Sequence, residues 1–439
     1  MSKLSLLLKN DILRNSVLGL AFKMFGLGMG FVISLTLANA LGVSFIGVVS
    51  LATSVAIVLK LLISLGSDTL IIREVSRASA NKHFSLIRGM LEILLLYRVL
   101  AITLMLIFFL GLMNSDIVKN SQFPNDSKIA FIILVCAFVV GGLSDLWCGY
   151  LRGVKQSWRS FAIEQSLVTS LTLLFVGGVY LFSQLTYVSV PICYLTSHCL
   201  SVLIGSRVVK HFSEFNGEIA EKVKLAVLLK SSLPFMLTSS MSIVMLQTDT
   251  LMLGAMLTTE EVGIYSIAMK LALLTSLVLV VSNAIVAPKI SELYVQGKVQ
   301  EMLLMVRKVI TVLLFSGVII LVGFIFFGEV LLGLWGVSGF SDLLVVLAFG
   351  QFINLATGPV GHLLMMTEYA VLHSKVILFM TVINVVLNYW LISSYGLIGA
   401  AIATATVVAM TNFLSWVLVW IKYGQPIIPV FSLNVLKGE

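Results

Sequence analysis

An acid, Asp249, and a base, Lys270, stand inside two long apolar runs joined by the short polar turn Thr258-Thr259-Glu260-Glu261. A charge at the centre of a bilayer costs about 2.5–3.5 kcal/mol on insertion scales, so such a side chain faces a cavity or a partner. Asp249 lies roughly eight residues before the turn and Lys270 roughly eight after it. At a rise of 1.5 Å per residue both stand about 12 Å below one membrane face. Two outcomes are open: a structural pair that fixes helix register, or a site where at least one of them meets water and cargo. Thr238 and Ser242 share the face of Asp249, and Ser266 precedes Lys270 by one turn.

Other polar residues sit in similar surroundings. Lys23 shares a helical face with Gly19, Gly26, Gly30, Ser34 and Ala38. That stripe either lines a cavity with a cation for anionic cargo or forms a small-residue packing seam, with Lys23 snorkelling to the interface. Lys60 and Arg98 lie near the inner ends of their runs; snorkelling accounts for Lys60, and Arg98 sits deeper. Gln351, Asn354, Gly358, Pro359, Gly361 and His362 fall in one run, where Gly and Pro can break a helix and present carbonyls to cargo or ions. Asn384 and Asn388, one turn apart, suit sugar hydroxyls or hydrogen bonds between helices. The candidate cargo-binding set is Lys23, Arg98, Asp249, Lys270, Asn354 and Asn384, with no metal ligands. There is no HExxH, no P-loop and no Ser/His/Asp set outside the apolar runs, so neither an enzyme nor a cofactor is expected, and no ATP bound to this chain drives it. Cys136, Cys148, Cys193 and Cys199 all lie in apolar runs and read as small core residues.

The elements that must position these residues are membrane helices. The chain is 59% hydrophobic and 11% charged over 439 residues, with a mean hydropathy of +1.08. A soluble protein of this size has no core large enough to hide that much apolar surface. Twelve spans are expected near 16–40, 44–66, 91–113, 129–150, 160–182, 189–206, 233–257, 263–287, 309–334, 342–367, 376–394 and 398–421. The N-terminus and the even-numbered connections hold 22 of the 28 Lys and Arg residues, and the odd-numbered connections only Lys119 and Lys128. Both termini are therefore expected in the cytoplasm. The net charge of +8 follows from inner loops facing anionic lipid, without nucleic acid. The mixed-charge connections around 67–90 and 207–232 read as short helices on the membrane surface. The first residues show no signal-peptide cleavage pattern and read as an amphipathic lead-in.

Leu41-Gly42-Val43-Ser44-Phe45-Ile46-Gly47-Val48 matches Leu257-Thr258-Thr259-Glu260-Glu261-Val262-Gly263-Ile264. An offset near half the chain implies two parallel six-helix repeats, with cargo held centrally. The expected fold is an all-α integral membrane protein of about twelve transmembrane helices in two pseudo-symmetric lobes. The first lobe is 1–206, a cytoplasmic linker covers 207–232, and the second lobe is 233–439.

Several motifs carry a family resemblance. Asp249-Thr-Leu-Met-Leu-Gly254, Glu261-Val-Gly-Ile-Tyr265 and Ala287-Pro-Lys-Ile-Ser-Glu-Leu293 resemble the region of the seventh and eighth spans in bacterial polysaccharide and O-antigen flippases. Leu65-Gly-Ser-Asp68 with Ile72-Arg-Glu74 is similar to that family's segment after span 2, and Tyr395-Gly-Leu-Ile-Gly-Ala-Ala-Ile-Ala-Thr404 to its link between spans 11 and 12. The resemblance implies a carrier of the multidrug/oligosaccharidyl-lipid/polysaccharide exporter superfamily. By alternating access it would move an undecaprenyl-diphosphate-linked oligosaccharide to the outer leaflet of the inner membrane. Lys23, Arg98 and Lys270 would meet the diphosphate and acidic sugars. The partners implied are the lipid-linked oligosaccharide and the bilayer, with polymerase and chain-length proteins as further candidates. Two other readings remain open. A cation-coupled multidrug antiporter would carry more cavity acids, and here only Asp249 reads as deep. A membrane-embedded polymerase needs a larger outer loop than any present.

Overall fold

The computed structural model describes residues 11–113, 125–212 and 219–430, and these residues form helices joined by short turns. The helices are α1 (Asp11–Leu41), α2 (Val43–Ser64), α3 (Ser67–Ala80), α4 (Phe84–Met113), α5 (Asn125–Gly153), α6 (Ser157–Phe161), α7 (Val168–Phe182), α8 (Ser189–Phe212), α9 (Leu225–Met256), α10 (Thr259–Val295), α11 (Val299–Gly333), α12 (Ser341–Thr357), α13 (Val360–Met365) and α14 (Ala370–Tyr423). Among the described residues nine helices are long and apolar enough to cross a membrane, and Ile243–Met256 and Ser341–Thr357 are shorter apolar segments. The longest helix, α14, is broken at Gly396, whose φ of 58° only glycine adopts readily. It therefore supplies two crossings, and the apolar segments together make twelve.

The turns explain where helices start. Thr258 caps α10: its hydroxyl accepts from the amide of Glu261 at 3.3 Å, and the Glu261 carboxylate accepts from the Thr258 amide at 2.9 Å. This reciprocal capping box begins the helix at Thr259, four residues before the boundary that hydropathy suggests. Leu65 and Gly66 both have positive φ and end α2 abruptly. A Cβ on Gly66 would stand 2.6 Å from the carbonyl oxygen of Ser232, so the close approach of α9 also requires glycine.

The stretch 67–90 does hold a short helix, α3, but among the described residues of 207–232 there is no separate helix. Residues 207–212 complete α8, and 225–232 begin α9. Hydropathy truncates both helices because Arg207, Lys210 and Lys230 lie in these polar ends.

Two compact units divide the chain, Met1–Ile243 and Val244–Glu439. In the first, α5 is central, packed on α2, α3 and α8. A small residue allows this: a Cβ on Gly141 would stand 2.4 Å from the His198 ring. The core gathers Leu70, Ile71, Leu94, Leu146, Leu151 and Ile163. Between α6 and α7 the helix passes through a π turn, Ala162–Leu167. In the second unit α12 is central, packed on α10, α11 and α14. Its core includes Ile290, Met302, Val306, Val360, Leu363 and Val419. The segment after α14 runs back along α11. Trp416 Nε1 donates to the Ile427 carbonyl at 2.8 Å, and Arg307 donates to the Pro426 carbonyl at 3.0 Å.

Candidate functional site

In the unit Val244–Glu439 the hairpin of α9 and α10 buries Asp249, which is 5% exposed. Its carboxylate accepts four hydrogen bonds from neutral groups. Oδ1 takes Asn388 Nδ2 at 2.7 Å and Asn384 Nδ2 at 3.5 Å; Oδ2 takes the Thr404 hydroxyl at 2.6 Å and the Tyr265 hydroxyl at 3.1 Å. Tyr265 and Thr404 also meet at 2.9 Å. Asn384 and Asn388 are one turn apart on the first half of α14, and Thr404 is on its second half. The reversal at Gly396 brings all three to one point. The Oδ1 atoms of both asparagines are buried without a hydrogen-bond partner among the described residues.

This arrangement sets a buried carboxylate among neutral dipoles. Buried polar atoms are nearly always satisfied, so two orphaned amide oxygens beside a carboxylate mark a place for a positive species. Among the described residues no group of three or more His, Cys, Asp or Glu side chains gathers as a metal cage. One carboxylate with amide and hydroxyl oxygens suits a proton or a small monovalent cation.

Lys270 does not pair with Asp249. It is exposed on α10 and has no partner among the described residues. The early start of α10 is one reason, since Lys270 then lies 11 residues into its helix and Asp249 only seven from the end of α9. The other is angular: five residues beyond Tyr265, Lys270 is turned about 140° away from the face that meets Asp249. Tyr265 takes the matched depth instead. The side chains of Thr238 and Ser242 lie outside the described residues.

Asn354 is half-buried on α12, and its backbone carbonyl accepts from the Thr357 hydroxyl at 3.1 Å. Gln351, one turn earlier, accepts from the Ser276 hydroxyl at 2.5 Å. The break expected in this crossing occurs at Gly358 and Pro359, between α12 and α13.

In the unit Met1–Ile243, Arg98 is 1% exposed. It donates to the Gly142 carbonyl at 2.9 Å, to the Ser67 hydroxyl at 2.8 Å and to the Asp68 carboxylate. Asp68 stands in the first turn of α3, where the helix dipole favours an anion. Burial alone would push the Asp68 carboxyl up, but the charge and hydrogen bond of Arg98, aided by Lys60 and Ser64, hold it below its usual value. Two further pairs lie close by: Lys60 with Asp145 at 2.7 Å, and Arg152 with Glu164. Lys23 is half-buried on α1. Gly19 packs against Phe161 and Trp158, and Gly26 against Gln165 of the π turn, so these two glycines form a packing seam.

Asp145, Arg152, Glu164, Tyr265 and Thr404 are polar residues that the sequence reading missed, and Asp249 is not the sole acid inside a crossing. Lys60 and Arg98 carried the available signal: two bases in apolar runs each demand an acid.

Because the Asp68 value is lowered, its pairing stabilises fully above pH 3.8 and fades only as pH falls through the depressed value. The stability difference between wild type and Asp68→Asn is expected to be flat from about pH 5 to 8 and to close only under stronger acid. Thermal unfolding in detergent across that range checks this; a difference that closes near neutral pH would contradict it.

The model for the family described as polysaccharide biosynthesis protein matches residues 12–294. A probable low-salt glycan biosynthesis flippase of Haloferax volcanii is 25% identical over 186 residues, which is 40% of this chain and 39% of that relative. The chain thus matches about two fifths of the relative's length. Among solved structures, an inward-facing MATE family multidrug resistance transporter of the MOP superfamily aligns with a TM-score of 0.74 at 14% identity, over 93% of this chain and 98% of that one. A MOP superfamily transporter from Pyrococcus furiosus gives 0.58 at 14% identity over 97% and 98%. A MATE transporter from Vibrio cholerae gives 0.61 at 14% over 96% and 98%. At such identities the likeness is one of fold, two six-helix lobes, and it makes the chain a multi-pass membrane protein. Matched by the family model from residue 12 to residue 294 and built on the fold of the MOP superfamily transporters, the chain belongs to the polysaccharide biosynthesis protein family.

Proposed function

We propose that the chain flips an undecaprenyl-diphosphate-linked oligosaccharide from the cytoplasmic to the outer leaflet of the inner membrane by alternating access, with a proton or monovalent cation at Asp249 coupling the movement. The observation that carries the reading is Lys270. A lysine exposed within a membrane crossing, with no partner among the described residues, is costly unless it meets an anion. The diphosphate of a lipid-linked glycan is such an anion, and it must cross the same depth. The family match supports the glycan as cargo.

Deleting the gene and measuring lipid-linked oligosaccharides by mass spectrometry, with sidedness read by a membrane-impermeant glycan probe, tests the reading. One diphosphate-linked repeat is expected to accumulate on the cytoplasmic leaflet. If that repeat reaches the outer leaflet unpolymerised, flipping is not this chain's task. A cation-coupled multidrug antiporter is the second reading, favoured by the Asp249 cluster and by the MATE fold. It predicts altered drug resistance in the deletion strain with unchanged glycans.

The distribution of Lys and Arg places both termini in the cytoplasm under this reading. Green fluorescent protein fused to either end is then expected to fluoresce, and alkaline phosphatase fused to either end to stay inactive. The reverse pattern at either end would overturn the orientation and with it the direction of transport.

A further inference from the structure

The pairs Lys60–Asp145 and Arg152–Glu164, with Asp68 of the Arg98 pair, line a cavity of about 220 Å³ in the unit Met1–Ile243, with Ile72, Cys148 and Gly149 as its less polar wall. An adjoining cavity of about 250 Å³ shares Lys60, Asp68 and Asp145 with it. We propose that this crevice is a subsite for a neutral, hydroxyl-rich sugar residue. The proposal rests on the flippase reading and names the part of the cargo that this unit takes.

Charge balance is the first argument. Lys60 pairs with Asp145, Arg98 with Asp68 and Arg152 with Glu164, so every base facing the crevice already has its acid. A diphosphate entering here would have to displace a carboxylate, and a cation would have to displace a base. Either exchange strands a partly buried charge, which is the expensive way to break a pair. A hydroxyl strands nothing. It donates to a spare carboxylate lone pair and accepts from a spare Lys60 or Arg152 N–H while both pairs stay closed.

Hydration is the second. Lys60, Asp145, Arg152 and Glu164 remain between about a quarter and two fifths exposed, with Lys60 at 29% and Glu164 at 41%, although they belong to apolar crossings. The crevice is therefore wet, and its volume holds about seven waters, the space one pyranose ring displaces with its substituents. Ile72 offers the C–H face of such a ring an apolar surface.

Local backbone is the third. The Lys60 side chain crosses α5 beside Gly142 to reach Asp145. Glu164 rides on the π turn, and π turns concentrate at functional sites because they re-aim side chains.

Saturation-transfer NMR on the purified full-length chain in nanodiscs tests the subsite with three probes: methyl glucopyranoside, methyl glucuronide and glucosamine. Methyl glucopyranoside is expected to receive saturation at least about five times more strongly than either charged sugar. Because removing one member of a pair strands the other, the variant is the double Lys60→Met/Asp145→Asn, which removes both charges together; it is expected to lose the signal while its melting curve stays near wild type. No transfer to the neutral sugar, equal transfer to the glucuronide, or an unchanged signal in the double variant overturns the proposal. Binding is read here without transport. A negative result alongside glycan accumulation in the deletion strain therefore removes the subsite and leaves the flippase reading standing.

Discussion

Asp249→Asn is expected to reduce gradient-driven transport at least about ten-fold, a change of about 1.4 kcal/mol in coupling free energy. Asparagine keeps the shape of the side chain but carries no charge, so nothing remains to hold a proton or cation among Tyr265, Asn384, Asn388 and Thr404. Its stability effect has the opposite sign to that of most core substitutions. The wild-type carboxylate is buried with neutral donors only, so removing its charge relieves a desolvation cost, and the melting temperature is expected to hold or rise. Flipping of a fluorescent lipid-linked glycan in proteoliposomes, with and without pH and sodium gradients, separates the two effects. Transport that still responds to either gradient in this variant would remove Asp249 from the coupling role.

The second large effect is on stability. Arg98→Met leaves Asp68 and the Gly142 carbonyl facing an apolar side chain, and breaking a buried pair from one side costs about 3–5 kcal/mol. The expected loss is at the lower end, about 3 kcal/mol, because Asp68 is 41% exposed and water screens the charge left behind. Arg98→Met/Asp68→Asn should recover much of that loss, since both charges leave together. Thermal denaturation of the single and double variants in detergent completes the cycle. If both single variants melt like wild type, the pair does not fasten α3 to α4 and α5.

Sequence reading located the helices well because hydropathy is a sum over twenty or so residues and tolerates local error. Boundaries were less legible. The cap formed by Thr258 and Glu261 and the basic ends of α8 and α9 extend helices beyond the apolar stretch that hydropathy weighs. Sites were legible only where the partners are close in sequence. Asp249 stood out as a lone acid in an apolar run, and Asn384 with Asn388 as a polar face one turn wide. What brings them together is the reversal at Gly396, and no periodicity reports which helix will lie against α9. The pairs Lys60–Asp145 and Arg152–Glu164 were missed for the same reason. Asp145 and Arg152 lie near the end of α5, where charges read as interfacial, and only the packed helices show them to be partners.

The π turn at Ala162–Leu167 has one more consequence, for counting. A helix that carries one surplus residue behaves as two helices out of phase by about 100°, the angle each residue adds. Trp158 and Thr169 therefore cannot be assigned to a shared stripe by adding threes and fours, and any wheel drawn through 157–182 scrambles its own faces. Removing one residue between Ala162 and Leu167 would restore a single phase in the count and leave Val168 to Phe182 on the faces they now hold relative to Ser157–Phe161. A relative one residue shorter at this point would keep every hydrophobic position in the crossing and yet present a different side chain where Glu164 now stands.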